Sequence, residues 1–169
     1  MDLSIVVDIL SIVAVVSSLI FAGIELRHFR ISRDRESALE LLDTFQSRDF
    51  MAGIRVITQL PDNQTKQQII SMVGEGIDDL YFAIASFEGL GALVYREEIS
   101  LELLEDFFSG IVVTCWLKLR QFAHDERQDL KRETWMEWAQ WLAERIMERE
   151  KTRKPVPAYI EHKDWIPNK

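Results

Sequence analysis

The sequence predicts an all-α protein: a single-pass transmembrane helix continuing into a cytoplasmic helical bundle, closed by a non-helical aromatic C-terminal tail. Three observations lead there. Leu3 to Ile24 (LSIVVDILSIVAVVSSLIFAGI) is a 22-residue run whose only charge is Asp8. At ~1.5 Å per residue a helix of that length spans the ~30 Å hydrocarbon core of a bilayer. The rest of the chain is charged and repeats its apolar residues every three or four positions, and no alternating run is long enough for a sheet.

The length of 169 residues accommodates this anchor and one domain. The predicted boundaries are a span at 1–25, a juxtamembrane helix continuous with it at 26–48, a cytoplasmic bundle at 49–150 and a Pro-rich docking tail at 151–169. All 20 Lys and Arg follow Ile24, with 26 of the 28 acidic residues, so the extramembrane part is near −6. That acidity excludes a phosphate-backbone binder, and no nucleic-acid partner is expected. Cys115 is the single cysteine, so neither an intrachain disulfide nor a Cys-based zinc site is available.

A secretory signal would open with basic residues, whereas this chain offers Asp2 and no clean A-x-A site. The span is therefore read as retained. Arg27, Arg30, Arg33 and Arg35 follow it and no Lys or Arg precedes it, which places the N-terminus outside and the domain in the cytoplasm. The same arginines suit anionic headgroups at the membrane surface.

Ile24 to Arg48 lacks Pro and Gly and is rich in helix formers, so the span should continue as one long helix. A short amphipathic helix, Phe50 to Leu60, is stopped by Pro61, and Pro61-Asp62-Asn63 turns the chain into another that ends near Val73 before Gly74. From Ile77 to Tyr95 the residues Ile77, Leu80, Tyr81, Ile84, Phe87, Gly91 and Tyr95 share one face. Ser100 is an N-cap for a helix expected to end near Phe122, burying Leu101, Leu104, Phe108, Ile111, Cys115, Leu119 and Phe122. His124 to Asp129 reads as a polar connector to a last helix, about Leu130 to Glu150, with Trp135, Trp138, Ala139, Leu142 and Ile146 inside. Pro155, Pro157 and Pro167 forbid a long helix in the tail, yet Tyr159, Ile160, Trp165 and Ile166 predict that it docks in a groove, on its own domain or on a neighbour's.

The run SFEGLGALVYREEISLELLEDFFSGIVVTCWLKLRQFAHDERQD, followed by WAQWLAERI, resembles an uncharacterised bacterial family annotated only as a domain of unknown function. The features that carry the resemblance are Phe87-Glu88 with Gly91, Trp116 with Leu119, Arg127, Trp141-Leu142 and the RHFRISRDRESALELL segment. It implies an N-terminal anchor, a helical cytoplasmic domain and a bacterial inner (plasma) membrane. It implies no activity and no catalytic residue.

Within the span, Ser4, Asp8, Ser11, Val15, Ser18, Ala22 and Glu25 recur at alternating intervals of four and three. This heptad seam is small or polar, while the other faces are Val, Ile, Leu and Phe. A lipid-facing carboxylate costs about 2.5–3.5 kcal/mol on insertion scales, so the seam is expected to face other helices in a homo-oligomer. With few helices it is a closed interface. With five or more it becomes a cation pore ringed by Asp8 and Glu25.

Glu88 falls within an apolar face and is expected to be a buried polar residue held by Arg120, Arg127 or the Trp116 indole; the alternative is a carboxylate in a pocket. Glu25-Leu26-Arg27-His28 is one Glu-x-x-His where a di-iron bundle needs two, and His124 and His162 have no ligand partner at helical spacing. Nucleophile-elbow, phosphate-loop, dinucleotide and His-Glu-x-x-His motifs are absent, so no cofactor, metal or catalytic residue is assigned. Gly89-Leu90-Gly91 reads as close helix packing. The functional expectation is a non-enzymatic, self-associating module that presents its domain to protein partners from the bilayer; the alternative is a small oligomeric cation channel.

Overall fold

The computed structural model of the chain describes Ile12, residues 14–26, Asp43, Phe45 and residues 47–167. Every regular element among them is helical, as the periodicity predicts. The chain divides into two units, Met1–Asp43 and Thr44–Lys169.

In the first unit residues 14–26 form helix α1. Val15, Leu19, Ile20, Phe21 and Leu26 are each more than half exposed, at 59%, 68%, 59%, 64% and 63%. Among the described residues no helix is long and apolar enough to cross a membrane. The first part of the predicted span, with Ser4, Asp8 and Ser11, lies outside the described residues. So do Arg27, Arg30, Arg33, Arg35 and most of the predicted juxtamembrane helix.

The second unit is a bundle of α2 (Arg48–Gln59), α3 (Lys66–Val73), α4 (Ile77–Tyr95), α5 (Leu101–Leu130) and α6 (Glu137–Thr152), with a one-turn α7 (Ala158–Glu161) in the tail. Local chemistry sets most of these ends. The Ser47 hydroxyl accepts from Phe50 N at 3.3 Å and starts α2. Thr65 and Gln68 form a reciprocal capping box on α3, and Ser100 caps α5 by accepting from Leu103 N at 3.2 Å. Gly74 ends α3 at φ +55°, a conformation that costs glycine little.

Helix α4 lies between α2 and α6, and α5 packs on α2, α3 and α6. Because α4 is covered from two sides, its buried set (Leu80, Ala83, Ile84, Phe87, Leu90, Gly91, Val94) is wider than one stripe. Tyr81 and Tyr95, predicted on that stripe, are instead 37% and 60% exposed. Phe50, Ile57, Leu80, Leu104, Leu119, Phe122, Leu142 and Ile146 are almost fully enclosed. Each such side chain removed from water is worth about 1.5–3 kcal/mol. Two glycines permit the close approaches: a Cβ on Gly53 would strike the Asp79 carbonyl, and one on Gly91 the Trp138 backbone. Gly89 is different, with nothing within 4 Å of such a Cβ, so the predicted close packing belongs to Gly91 and not to Gly89.

Three expectations need correction. Helix α5 does not end near Phe122 but runs on to Leu130, so His124–Asp129 is helix and not connector. The buried stripe Cys115, Leu119, Phe122 continues to Glu126, and Lys131 in the left-handed region stops the helix. Helix α6 accordingly begins at Glu137 rather than near Leu130. The tail does not bury its apolar side chains on its own domain: Tyr159, Trp165 and Ile166 are 78%, 71% and 80% exposed there.

Candidate functional site

The strongest polar constellation lies where α3, α4 and α5 meet. Glu126 is 4% exposed and is the one buried charged residue among those described. Its Oε1 accepts from the Tyr81 hydroxyl at 2.7 Å, and its Oε2 accepts from Lys66 Nζ at 3.0 Å. The ammonium also reaches Asp129 at 2.7 Å, while the backbone N–H of Lys66 donates to Asp125 at 2.9 Å. Gln121 braces Asp125 from one turn earlier at 2.8 Å.

Lys66 is the first residue of α3, where backbone N–H groups lack intrahelical partners. Asp125 therefore caps α3 from α5, and the neighbouring carboxylates complement the positive end of the helix dipole. The Lys66 ammonium fills the position where Glu126 and Asp129 converge. Its pKa is raised by the hydrogen bonds to Asp129 and Glu126. Burial pushes the Tyr81 phenol up to about 12, and its hydrogen bond to Glu126 adds to the shift.

Glu88 is half-buried and repeats this device at another helix. The N-cap residue of α6, Met136, is left-handed (φ 57°) and supplies no side-chain cap. Glu88 on α4 accepts from Trp138 N at 3.2 Å and Ala139 N at 3.4 Å instead. Burial raises its pKa, opposed by those two N–H donors and by the Arg127 charge. The two arginines predicted to hold Glu88 spend their hydrogen bonds elsewhere. Arg127 donates to the carbonyls of Trp135 (2.8 Å) and Met136 (3.3 Å), fixing the turn that Glu88 caps. Arg120 donates to Asn63 on the loop after α2, and Lys118 to the Leu60 carbonyl and Asp62.

Trp138 and Trp141 pack against Tyr95, Trp138 tilted at a centroid distance of 4.8 Å and Trp141 edge-on at 5.8 Å. Trp141 thus meets the C-terminal end of α4. A cleft of about 270 Å³ between α5, α6 and the tail is lined by Glu105, Ile146, Arg149, Arg153, Val156 and His162. Both of its arginines are paired: Arg149 with Glu102 at 2.8 Å and Glu105 at 3.2 Å, and Arg153 with Glu161 at 3.0 Å. Arg149 holds Glu102 below the usual carboxylate range, whereas burial lifts Glu105.

Of the seam, Val15, Ser18, Ala22 and Glu25 lie on α1, and the Ser18 hydroxyl donates to the Ala14 carbonyl at 2.8 Å. No group of three or more His, Cys, Asp or Glu among the described residues is arranged to hold a metal ion. Cys115 is enclosed and its thiol is pushed up to about 12 by burial, which keeps it protonated near neutrality. Every buried side-chain nitrogen and oxygen among the described residues has a hydrogen-bond partner. What the arrangement does is join helix ends to neighbouring helices.

The sequence points to Glu88 but not to Glu126 or Lys66, and it marks Tyr81 only as part of an apolar face. The signal for Glu126 was the continuation of the 115–119–122 stripe by four residues, masked by reading 124–129 as a connector.

No curated protein and no solved structure matches the chain. The family model described as Domain of unknown function (DUF4760) matches residues 3–146, a stretch that takes in α1 to most of α6 and both carboxylate caps. The chain is a member of the DUF4760 family.

Proposed function

We propose that this protein is a non-enzymatic, self-associating module, tethered to a bacterial inner membrane by its N-terminal helix, with its helical domain held in the cytoplasm for other proteins. The observation that carries the reading is α1. It leaves Val15, Leu19, Ile20, Phe21 and Leu26 more than half exposed in the single chain, a surface suited to lipid. The small and polar residues Ser18, Ala22 and Glu25 share a different seam of the same helix. The run Arg27, Arg30, Arg33 and Arg35 that follows supports an N-out, C-in orientation. Ser18 satisfies its hydroxyl within its own helix, so it favours association through small size and close backbone approach.

The test is crosslinking of the full chain in native membranes, beside an alkaline wash of the same membranes. A ladder of discrete oligomers retained through the wash is expected. A purely monomeric band overturns self-association, and release by the wash overturns the tether. Cation currents in planar bilayers that change with Asp8→Asn and Glu25→Gln would replace the closed seam by a pore.

A further inference from the structure

The C-terminal tail stands apart from the bundle in both charge and exposure. Residues 47–150 carry 11 basic and 19 acidic side chains, a net −8. Residues 151–169 carry Lys151, Arg153, Lys154, Lys163 and Lys169 against Glu161 and Asp164, a net +3. Amid these cations Val156, Tyr159, Ile160, Trp165 and Ile166 are between 49% and 80% exposed. The backbone that presents them is ordered by local bonds. Ile160 N donates to Pro157 O at 2.8 Å, His162 N to Ala158 O at 2.9 Å and Trp165 N to His162 O at 3.0 Å. The Arg153–Glu161 pair ties the start of the tail to α7. An apolar surface held in place in this way loses little conformational freedom when it is covered.

We infer that this tail is a second membrane-contact site, which seats Tyr159, Trp165 and Ile166 in the headgroup region of an anionic bilayer while its lysines and Arg153 meet the lipid charge. Two features of the tail favour lipid over protein as the occupant. Trp and Tyr beside Lys and Arg are the residues that settle at the membrane–water boundary, with the ring in the interface and the cation at the phosphates. The positive tail also reverses the sign of its own domain, so an anionic surface attracts the tail while repelling the bundle. The family match ends at residue 146, so this contact belongs to a segment outside the matched region. The inference rests on the membrane tether proposed above, which would keep the tail close to a bilayer.

The full chain with Ile166→Cys, labelled with an environment-sensitive maleimide, provides the test. Cys115 is buried and stays unlabelled in the folded protein. The labelled protein is reconstituted in vesicles of phosphatidylcholine alone, or of phosphatidylcholine and phosphatidylglycerol in equal parts. In the anionic vesicles the label should shift to the blue and be quenched by spin-labelled lipid. The ratio of buried to exposed label should fall about fivefold for each of Lys151, Lys154 and Lys163 changed to Gln. Emission that stays water-like in vesicles still holding the protein after an alkaline wash overturns the inference and leaves the tether standing. Loss of the protein in that wash overturns the tether instead. A blue shift that lipid quenchers do not reach, and that grows with protein density, overturns lipid contact and assigns the tail to a second copy of the chain.

Discussion

The hydroxyl of Tyr81 on α4 donates a 2.7 Å hydrogen bond to the carboxylate of Glu126 on α5, whose other oxygen is held by Lys66 on α3 at 3.0 Å. Three helices thus share one buried charge. Tyr81→Phe should cost about 1–2 kcal/mol, since it removes one bond to a charged acceptor. Glu126→Ala should cost about 2–3 kcal/mol, less than a fully buried pair would, because Lys66 is 22% exposed and retains Asp129. In denaturant unfolding of the full chain the two substitutions should couple by more than 0.5 kcal/mol, the lower bound for residues in direct contact. Simple additivity would show that the bond contributes nothing.

The same pair sets an alkaline response. The Tyr81 proton is held to about 12 in the folded chain against an ordinary 10.0. Between those values the folded chain binds the proton and the unfolded chain has released it, so stability falls as pH rises through the interval. Lys66, raised from 10.5, contributes stability that is complete below that value and is lost as pH climbs through its folded pKa. The difference in stability between the parent and Tyr81→Phe should therefore shrink above pH 10, as followed by circular dichroism. A constant difference would separate the phenol from the carboxylate.

Glu88 and the start of α6 predict a contrast between two substitutions. Glu88→Ala strips Trp138 N and Ala139 N of their acceptor and should cost about 1 kcal/mol, the usual value of a lost cap. Glu88→Gln keeps an acceptor oxygen and should cost less. Because burial raises the Glu88 pKa, the folded chain binds the proton more tightly than the unfolded one just above the ordinary 4.5, and stability falls as pH rises there. The parent-minus-Gln stability difference should decline across that interval and level off above it. A difference that grew with pH would mean that the two N–H donors outweigh burial.

Gly89 and Gly91 lie two positions apart on α4 and should respond with opposite signs. At Gly89 a methyl group meets open space, and Ala should stabilise the helix by about 0.5–1 kcal/mol. At Gly91 the methyl group meets the Trp138 backbone, so α4 and α6 must separate, at a cost of about 1–3 kcal/mol or more. Thermal unfolding of the two variants reads both effects. A Gly91→Ala variant as stable as the parent would contradict the close approach of the helices.

The sequence by itself determined the helical class, because the three-and-four spacing of apolar residues is a property of the chain. It also determined helix ends whose caps lie within a few residues, such as Ser100 with Leu103, whereas the start of α3, expected at Pro61-Asp62-Asn63, falls at the Thr65–Gln68 capping box. Tertiary structure decided the ends that are capped from elsewhere. Asp125 caps α3 across 59 positions and Glu88 caps α6 across 50, and no local pattern encodes a partner at that distance. It also decided which face of α4 is buried, since two neighbours cover it, and that Glu126 rather than Glu88 is the enclosed charge. Periodicity records what one helix would hide from water, whereas charge burial depends on which donors the other helices bring to it.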